Sequence, residues 1–152
     1  MSLNEATEWN SSAIPIRIEK EISELLPKFD ETALFGKNAN GQQLQRQDLY
    51  LLAMAIGCHQ DKRTPLKNPI GLIRAVYLTP DTVSIIQAVH IHILRQNAQE
   101  DKIDDINEAY QIANEYANTG FHYLKDIVTN PNFDEEDAQL DLRAACRTMS
   151  QA

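Results

Sequence analysis

The sequence predicts an all-α fold, a single-domain helical bundle of about five helices with room for one short strand pair. Glycine (5) and proline (6) are scarce among the 152 residues, which favours helices over a turn-rich β fold. Apolar residues also recur at helical spacing along most of the chain. We place the helical domain at residues 14–152 and expect residues 1–13, which are small and polar, to form a disordered or tag-like N-terminus.

The first elements are short. Ile14-Pro15-Ile16 is expected to be extended, because the residue before a proline avoids the α region. Residues 17–26 carry apolar side chains on one helical face and predict a helix that Pro27 ends. Residues 28–45 include the glycine-rich stretch 36–41 and predict a loop, which Phe29 anchors to the core.

Residues 45–56 predict the central helix, because this run is apolar almost all round. Gly57 is interpreted as its C-terminal cap. A polar connector over 58–71 follows. Residues 72–78 fit either a strand or a buried turn of helix, and a run of this length leaves both open.

Thr79-Pro80-Asp81 is a helix start, with Thr79 as N-cap, and predicts a helix to about Asn97. A long helix is predicted from Asp101 to about Val128, because apolar residues alternate at spacings of three and four. This stripe predicts packing against an antiparallel neighbour or a partner helix. Gly120 lies on it, where it permits close approach or marks a kink or a split at 118–120.

Acidic residues 134–137, after the break at Asn130, predict the start of a last helix. The predicted core consists of Leu49, Leu52, Ala53, Ile56, Ile86, Val89, Ile93, Tyr110, Ala113, Ala117, Leu124 and Ile127.

Charge and cysteine content restrict the function. The formal net charge is −8 and the pI is near 4.9, which opposes nonspecific nucleic-acid binding and favours protein partners or a homodimer. We expect a cytoplasmic protein without a signal peptide, since no basic region leads into an apolar stretch, and without a membrane span. The two cysteines, Cys58 and Cys146, are then expected to be reduced.

No residue pattern matches a known catalytic, cofactor or metal motif. His90 and His92 point in different directions on a helix, so a shared metal ion is disfavoured and a packed, hydrogen-bonded His90 is expected. Cys58 is interpreted as a small buried apolar residue rather than a nucleophile. The acidic residues 101–108 are interpreted as a solvated helix start.

The densest positive charge lies in a turn between prolines. Its residues Lys62, Arg63 and Lys67, with Arg74 nearby, are candidate contacts for a phosphate or an acidic partner surface. The alternative interpretation is an ordinary solvated turn.

Several short segments between residues 17 and 128 resemble one small family. They are Phe35, Asp48-Leu49-Tyr50, Ala53-x-Ala55-Ile56-Gly57, Lys62-Arg63-Thr64-Pro65-Leu66 and Ile85-x-x-x-Val89. The chain in these segments resembles a family found beside bacterial DNA phosphorothioation (dnd) genes and known only as dnd system-associated. The resemblance implies an accessory role in DNA sulfur modification or defence and carries over no catalytic residues.

Three functions follow from these observations. The first is a non-enzymatic adaptor of a bacterial DNA-modification or defence system that acts through protein contacts. The second is a DNA-binding regulator that uses the basic turn at 62–67. The third is an enzyme that uses Cys58 or a histidine-based metal site.

Overall fold

The computed structural model describes residues 14–31 and 45–130, and all structural statements below concern these residues. The strands are β1 (Ile16–Glu19) and β2 (Pro69–Ile73). The helices are α1 (Lys20–Ser23), α2 (Leu26–Glu31), α3 (Arg46–His59), α4 (Pro80–Gln96) and α5 (Ile106–Thr129). Two 3₁₀ turns lie at Ala75–Tyr77 and Glu100–Lys102. The prediction of about five helices is confirmed within the described residues, but the fold is mostly helical rather than all-α, because β1 and β2 form a two-stranded antiparallel sheet, a pair for which the sequence prediction had left room. The predicted N-terminal tail, the stretch 36–41 and the last helix lie outside the described residues.

Helices α3 and α5 pack antiparallel at the centre of the fold. Gly57 of α3 lies against Tyr116 of α5, and Ala53 lies against Gly120. A Cβ atom on Gly57 would stand 2.0 Å from the carbonyl oxygen of Tyr116, and one on Gly120 would stand 1.8 Å from that of Ala53. Only glycine allows the two backbones to come this close. The antiparallel neighbour predicted for the long helix is therefore α3.

The remaining elements pack around this helix pair. Helix α4 packs against α5, and β1 lies on another part of α5. Strands β1 and β2 pair antiparallel, with Ile18 opposite Ile70 and an irregularity between Ile16 and Arg17. The predicted core residues are buried, except Leu52, Val89 and Ile127, which are half-buried and pack against that core. Phe29 is buried as predicted.

The predicted helix over 17–26 is confirmed only in part: Lys20–Ser23 is helical, but residues 17–19 are not. Residues 16–19 form β1, in which Ile16 and Ile18 are buried while Arg17 is exposed, the alternation of a strand. Helix α1 follows, and Pro27 does not end a helix but lies in the first turn of α2. Proline is tolerated there because the first amides of a helix have no intrahelical acceptor.

The predicted ends of the two central helices also need correction. Helix α3 continues through Gly57 to His59, because this glycine serves the contact with α5 rather than a cap. Helix α5 begins at Ile106, where the Asp105 side chain accepts a hydrogen bond from the Glu108 amide. It runs to Thr129 as one helix, so the alternative of a split at 118–120 is wrong.

The segment 72–78 begins as a strand, whereas its second half is a largely exposed 3₁₀ turn rather than the buried turn of helix that the sequence had left open. Leu72 and Ile73 end β2, and Ala75–Tyr77 is a 3₁₀ turn. Strand β2 begins at Pro69, within the predicted polar connector. Helix α4 starts as predicted, with the Thr79 side chain accepting from the Thr82 amide. No helix within residues 14–31 and 45–130 has the length and apolar character that a membrane span needs.

Candidate functional site

The loop that joins α3 to β2, residues 60–68, carries the predicted basic turn, and we call it the basic loop. It leaves α3 through Asp61, whose φ of 50° is in the left-handed region. The Lys62 amide then donates to the Gly57 carbonyl at 3.1 Å. This hydrogen bond turns the chain back across α5.

A group of polar side chains on α5 holds the first half of the basic loop. The Thr64 amide donates to the Glu115 carbonyl at 3.1 Å, and the Thr119 hydroxyl donates to the Lys62 carbonyl at 2.8 Å. The Asn118 side-chain amide donates to the Thr64 carbonyl at 3.0 Å. Asn118 and Thr119 are buried, so these hydrogen bonds are partly shielded from water and fix the loop on α5.

A buried carboxylate holds the second half. Glu19 of β1 is 8% exposed and accepts hydrogen bonds from the amides of Lys67 and Asn68. The Lys20 amide donates in return to the Asn68 carbonyl at 3.1 Å. A carboxylate is tolerated at this depth because backbone amides satisfy it. The basic loop is thus fixed at both ends.

Between the basic loop and α5 lies a cleft of about 460 Å³, which we call the loop cleft. Lys62 and Lys67 line it from the loop, and Glu21 and Asp126 line it from α1 and α5. Lys125 binds Glu21 at 2.8 Å, and this hydrogen bond lowers the pKa of the Glu21 carboxyl. The loop cleft therefore carries both signs of charge.

The four predicted basic residues are not brought to one place. Lys62 and Lys67 border the loop cleft. Arg63 points toward Glu115 of α5, with its Nη1 atom 3.8 Å from a carboxylate oxygen. Arg74 borders another cleft, of about 350 Å³, together with Arg46 at the start of α3.

The histidines take separate positions. His90 is buried, and its Nε2 atom lies 3.2 Å from a carboxylate oxygen of Glu108. His92 is exposed and lies beside Gln96 of its own helix. No group of three histidine, cysteine or acidic side chains within the described ranges is arranged to hold a metal ion.

Cys58 is half-buried near the end of α3. Burial, with a smaller contribution from the charge of Asp61, raises the pKa of its thiol to about 11. At neutral pH this thiol is protonated, and a protonated thiol is a poor nucleophile. Cys146 lies outside the described residues.

The polar residues that position the basic loop did not emerge from sequence analysis. Asn118 and Thr119 fall beside the apolar stripe of α5, and Glu19 was assigned to a helix. Asn114, four residues earlier on α5, is also buried, and it joins the Tyr50 hydroxyl, at 2.9 Å, to the Pro15 carbonyl, at 2.9 Å. The spacing Asn114-x-x-x-Asn118 on a strongly apolar helix was the available signal.

Comparison with known proteins gave one match. A family model described as DNA sulphur modification system-associated protein 4 matches residues 15–150. No curated protein and no solved structure matches this chain.

Proposed function

This chain belongs to the family of DNA sulphur modification system-associated protein 4, and from that premise we propose that it is a non-enzymatic adaptor of such a system that works through protein contacts. The observation that carries the proposal is the basic loop, which buried side chains hold in place and which presents Lys62 and Lys67 on an acidic chain. Charged groups in a fixed position bind a partner with a smaller loss of conformational entropy than mobile ones.

The reactive side chains support a non-enzymatic role. The thiol of Cys58 is protonated at neutral pH because burial raises its pKa. His90 is packed against Glu108, away from solvent. Both groups therefore act as parts of the fold in this proposal.

Binding of purified proteins of the sulphur modification system to this chain tests the proposal. We expect at least one of them to bind, and the Lys62→Ala/Lys67→Ala variant to bind it about tenfold more weakly. The matched control is Lys28→Ala/Lys102→Ala, which removes two exposed lysines elsewhere and should leave the affinity unchanged. Failure of every component to bind wild-type protein would overturn the proposal.

A second candidate function is regulation by direct DNA binding, which the exposure of Lys62 and Lys67 on one rigid loop favours. Glu21 and Asp126 in the same cleft oppose it, because they repel phosphates. Light scattering with and without DNA fragments, at low and moderate salt, separates the two functions and also gives the oligomeric state. A mass increase with DNA that salt reverses would favour the regulator.

A further inference from the structure

The 3₁₀ turn before α4 exposes two large apolar side chains. Val76 is 58% exposed and Tyr77 is 67% exposed, more than any other large apolar side chain in the part of the chain described. Neighbouring Ala75 is buried and anchors the turn. Together they form a small apolar patch that a partner side chain could cover.

Gln47 of α3 joins the turn to its neighbours through three hydrogen bonds. The Gln47 side-chain amide donates to the Tyr77 carbonyl at 2.5 Å, and its oxygen accepts from the Thr79 amide at 3.0 Å. The same oxygen accepts from the Thr82 hydroxyl at 2.9 Å. One side chain thus joins α3, the turn and the start of α4, and these hydrogen bonds restrict the conformations open to Val76 and Tyr77.

The charge beside the turn is positive, although the chain as a whole carries −8. The cleft of about 350 Å³ next to Tyr77 is lined by Arg46 and Arg74 and by no acidic residue among those described. Asp30 binds Arg46 through two hydrogen bonds of 2.7 and 2.8 Å. Arg74 is exposed and forms no ion pair within residues 14–31 and 45–130, so its charge is available to a partner.

We propose that Arg74, Val76 and Tyr77 form a docking site for a protein segment in which a carboxylate stands next to an apolar side chain. We call these three residues the Arg74 surface. The carboxylate would pair with the Arg74 guanidinium, and the apolar side chain would cover Val76 and Tyr77. Tyrosine and arginine are enriched among the residues that dominate protein interfaces. The inference rests on the proposed adaptor function and assigns that function a second surface, apart from the basic loop.

A protein segment fits this surface better than a nucleic acid. The Val76 side chain offers a phosphate neither charge nor a hydrogen-bond donor, and apolar contact is the only interaction that this side chain can make. The net charge of −8 opposes the approach of a polyanion over longer distances. A short peptide with one or two carboxylates experiences much less of that repulsion.

Peptide titration of the full chain, labelled with ¹⁵N and followed by NMR, tests the proposal. The probe is a synthetic peptide in which Glu and Asp flank a central Leu-Phe pair. We expect saturable shifts of the amides of residues 74–77. A matched peptide with Gln and Asn in place of the acids should bind about tenfold more weakly. A second peptide, with Ser-Ser in place of the central Leu-Phe pair, should also bind about tenfold more weakly.

Substitutions on the surface sharpen the test. Arg74→Glu and Tyr77→Ser should each abolish the shifts, while Arg95→Glu, the same charge change at an exposed position of α4, should leave them intact. Gln47 is not part of the Arg74 surface. Gln47→Ala should nevertheless weaken peptide binding, because it removes the hydrogen bonds that hold the turn. Absence of saturable shifts, or equal binding by Arg74→Glu, would overturn the proposal. Tighter binding of a single-stranded oligonucleotide to the same amides would also overturn it.

The same variants separate this inference from the proposed function. A sulphur modification protein that binds wild type, Arg74→Glu and Tyr77→Ser equally would overturn the Arg74 surface and still support an adaptor. Loss of that binding in both variants, but not in Arg95→Glu, would support the surface. If no component binds wild type, the adaptor function fails, and the peptide titration alone decides whether the Arg74 surface binds acidic apolar segments.

Discussion

Gly120 of α5 lies directly on the backbone of Ala53 in α3, where a Cβ atom would stand 1.8 Å from the Ala53 carbonyl oxygen. Gly57 makes the corresponding contact with Tyr116 one helical turn away, at 2.0 Å. Two glycines thus set the separation of the helices that position both candidate surfaces. The basic loop leaves the end of α3 and is held by α5, so it depends directly on this separation.

Substitution of Gly120 by alanine should destabilise the fold. Alanine improves helix propensity by about 1 kcal/mol, but its methyl group meets a backbone carbonyl and can be accommodated only if the helices move apart. We expect a net loss of about 2–4 kcal/mol in the free energy of unfolding, measured in urea.

The control for the Gly120→Ala experiment is Gln111→Ala, at an exposed position of the same helix. It should change the free energy of unfolding by less than about 0.5 kcal/mol. An increase in the stability of Gly120→Ala would mean that propensity outweighs the contact and that the helices are not in close register.

Asn114 should be among the polar side chains that contribute most to stability. Its oxygen accepts from the Tyr50 hydroxyl at 2.9 Å and from the Arg17 amide at 3.2 Å, and its amide donates to the Pro15 carbonyl at 2.9 Å. Asn114→Leu keeps the branching of the side chain with a somewhat larger volume, and it leaves all three groups without their partner. We expect a loss of about 2–4 kcal/mol, measured in urea.

Tyr50→Phe provides the comparison for Asn114→Leu, because it removes only one of the three hydrogen bonds. The phenylalanine ring fits the same space, so the expected loss is about 1 kcal/mol. Equal effects of the two substitutions would contradict the view that Asn114 joins β1 to α3.

Release of the basic loop can be tested with Thr119→Val, which keeps the shape of the side chain and removes its hydroxyl. The hydroxyl donates to the Lys62 carbonyl and pairs with the Thr64 hydroxyl at 2.7 Å. We expect amide hydrogen exchange at Thr64 to accelerate by about tenfold, with a global loss near 1 kcal/mol.

Thr129→Val is the matched control for the loop experiment. Thr129 lies on the same helix, and its hydroxyl donates to the carbonyl of Lys125 four residues earlier. It should leave exchange at Thr64 unchanged. Acceleration in both variants would indicate general loosening of α5 rather than release of the loop.

Sequence analysis was accurate where local chemistry decides the structure. The start of helix α4 was predicted because Thr79 caps it, with the Thr79 hydroxyl oxygen accepting from the Thr82 amide at 3.2 Å. Residues 17–19 were mispredicted as helix because the apolar residues around them fit two periods. Ile16 and Ile18 fit a strand, while Ile18 and Ile22 fit a helix, and pairing with the distant β2 decides between them.

The candidate site was also predictable only in part, because some of its features are local in sequence and others depend on contacts between distant residues. The positive charge of the basic loop is local in sequence and was identified. Its separation from Arg74 depends on the path of β2, which periodicity did not reveal. Asn118 and Glu19 each lie about fifty residues along the chain from the loop residue that they bind, so the sequence around the loop gave no indication of these contacts.

The ion pair between Asp30 and Arg46 should make stability depend on pH in the acid range. The hydrogen bond from Arg46 lowers the pKa of Asp30 below its ordinary value of 3.8. Because Asp30 then binds its proton more weakly in the folded state, the pair stabilises the fold fully above that value, and its contribution is lost as the pH falls through the folded-state pKa.

Asp30→Asn measures this contribution. Both side chains are partly exposed, so the expected loss is about 0.5–1 kcal/mol at neutral pH, falling toward zero in strong acid. Urea unfolding at several pH values below 6 follows the change, and a double-mutant cycle with Arg46→Gln assigns it to the pair. A difference between wild type and Asp30→Asn that does not shrink in acid would contradict this assignment.

Cys58 should react slowly with thiol reagents. Burial and the charge of Asp61 raise its pKa from 9.0 to about 11, so at pH 8 the thiolate fraction is lower by about 100-fold. Ellman's reagent on the Cys146→Ser variant measures Cys58 alone, and the same variant unfolded in urea supplies the reference rate. Folded protein that reacts as fast as unfolded protein would contradict the raised pKa. It would also favour the alternative function, an enzyme that uses Cys58, over the proposed adaptor.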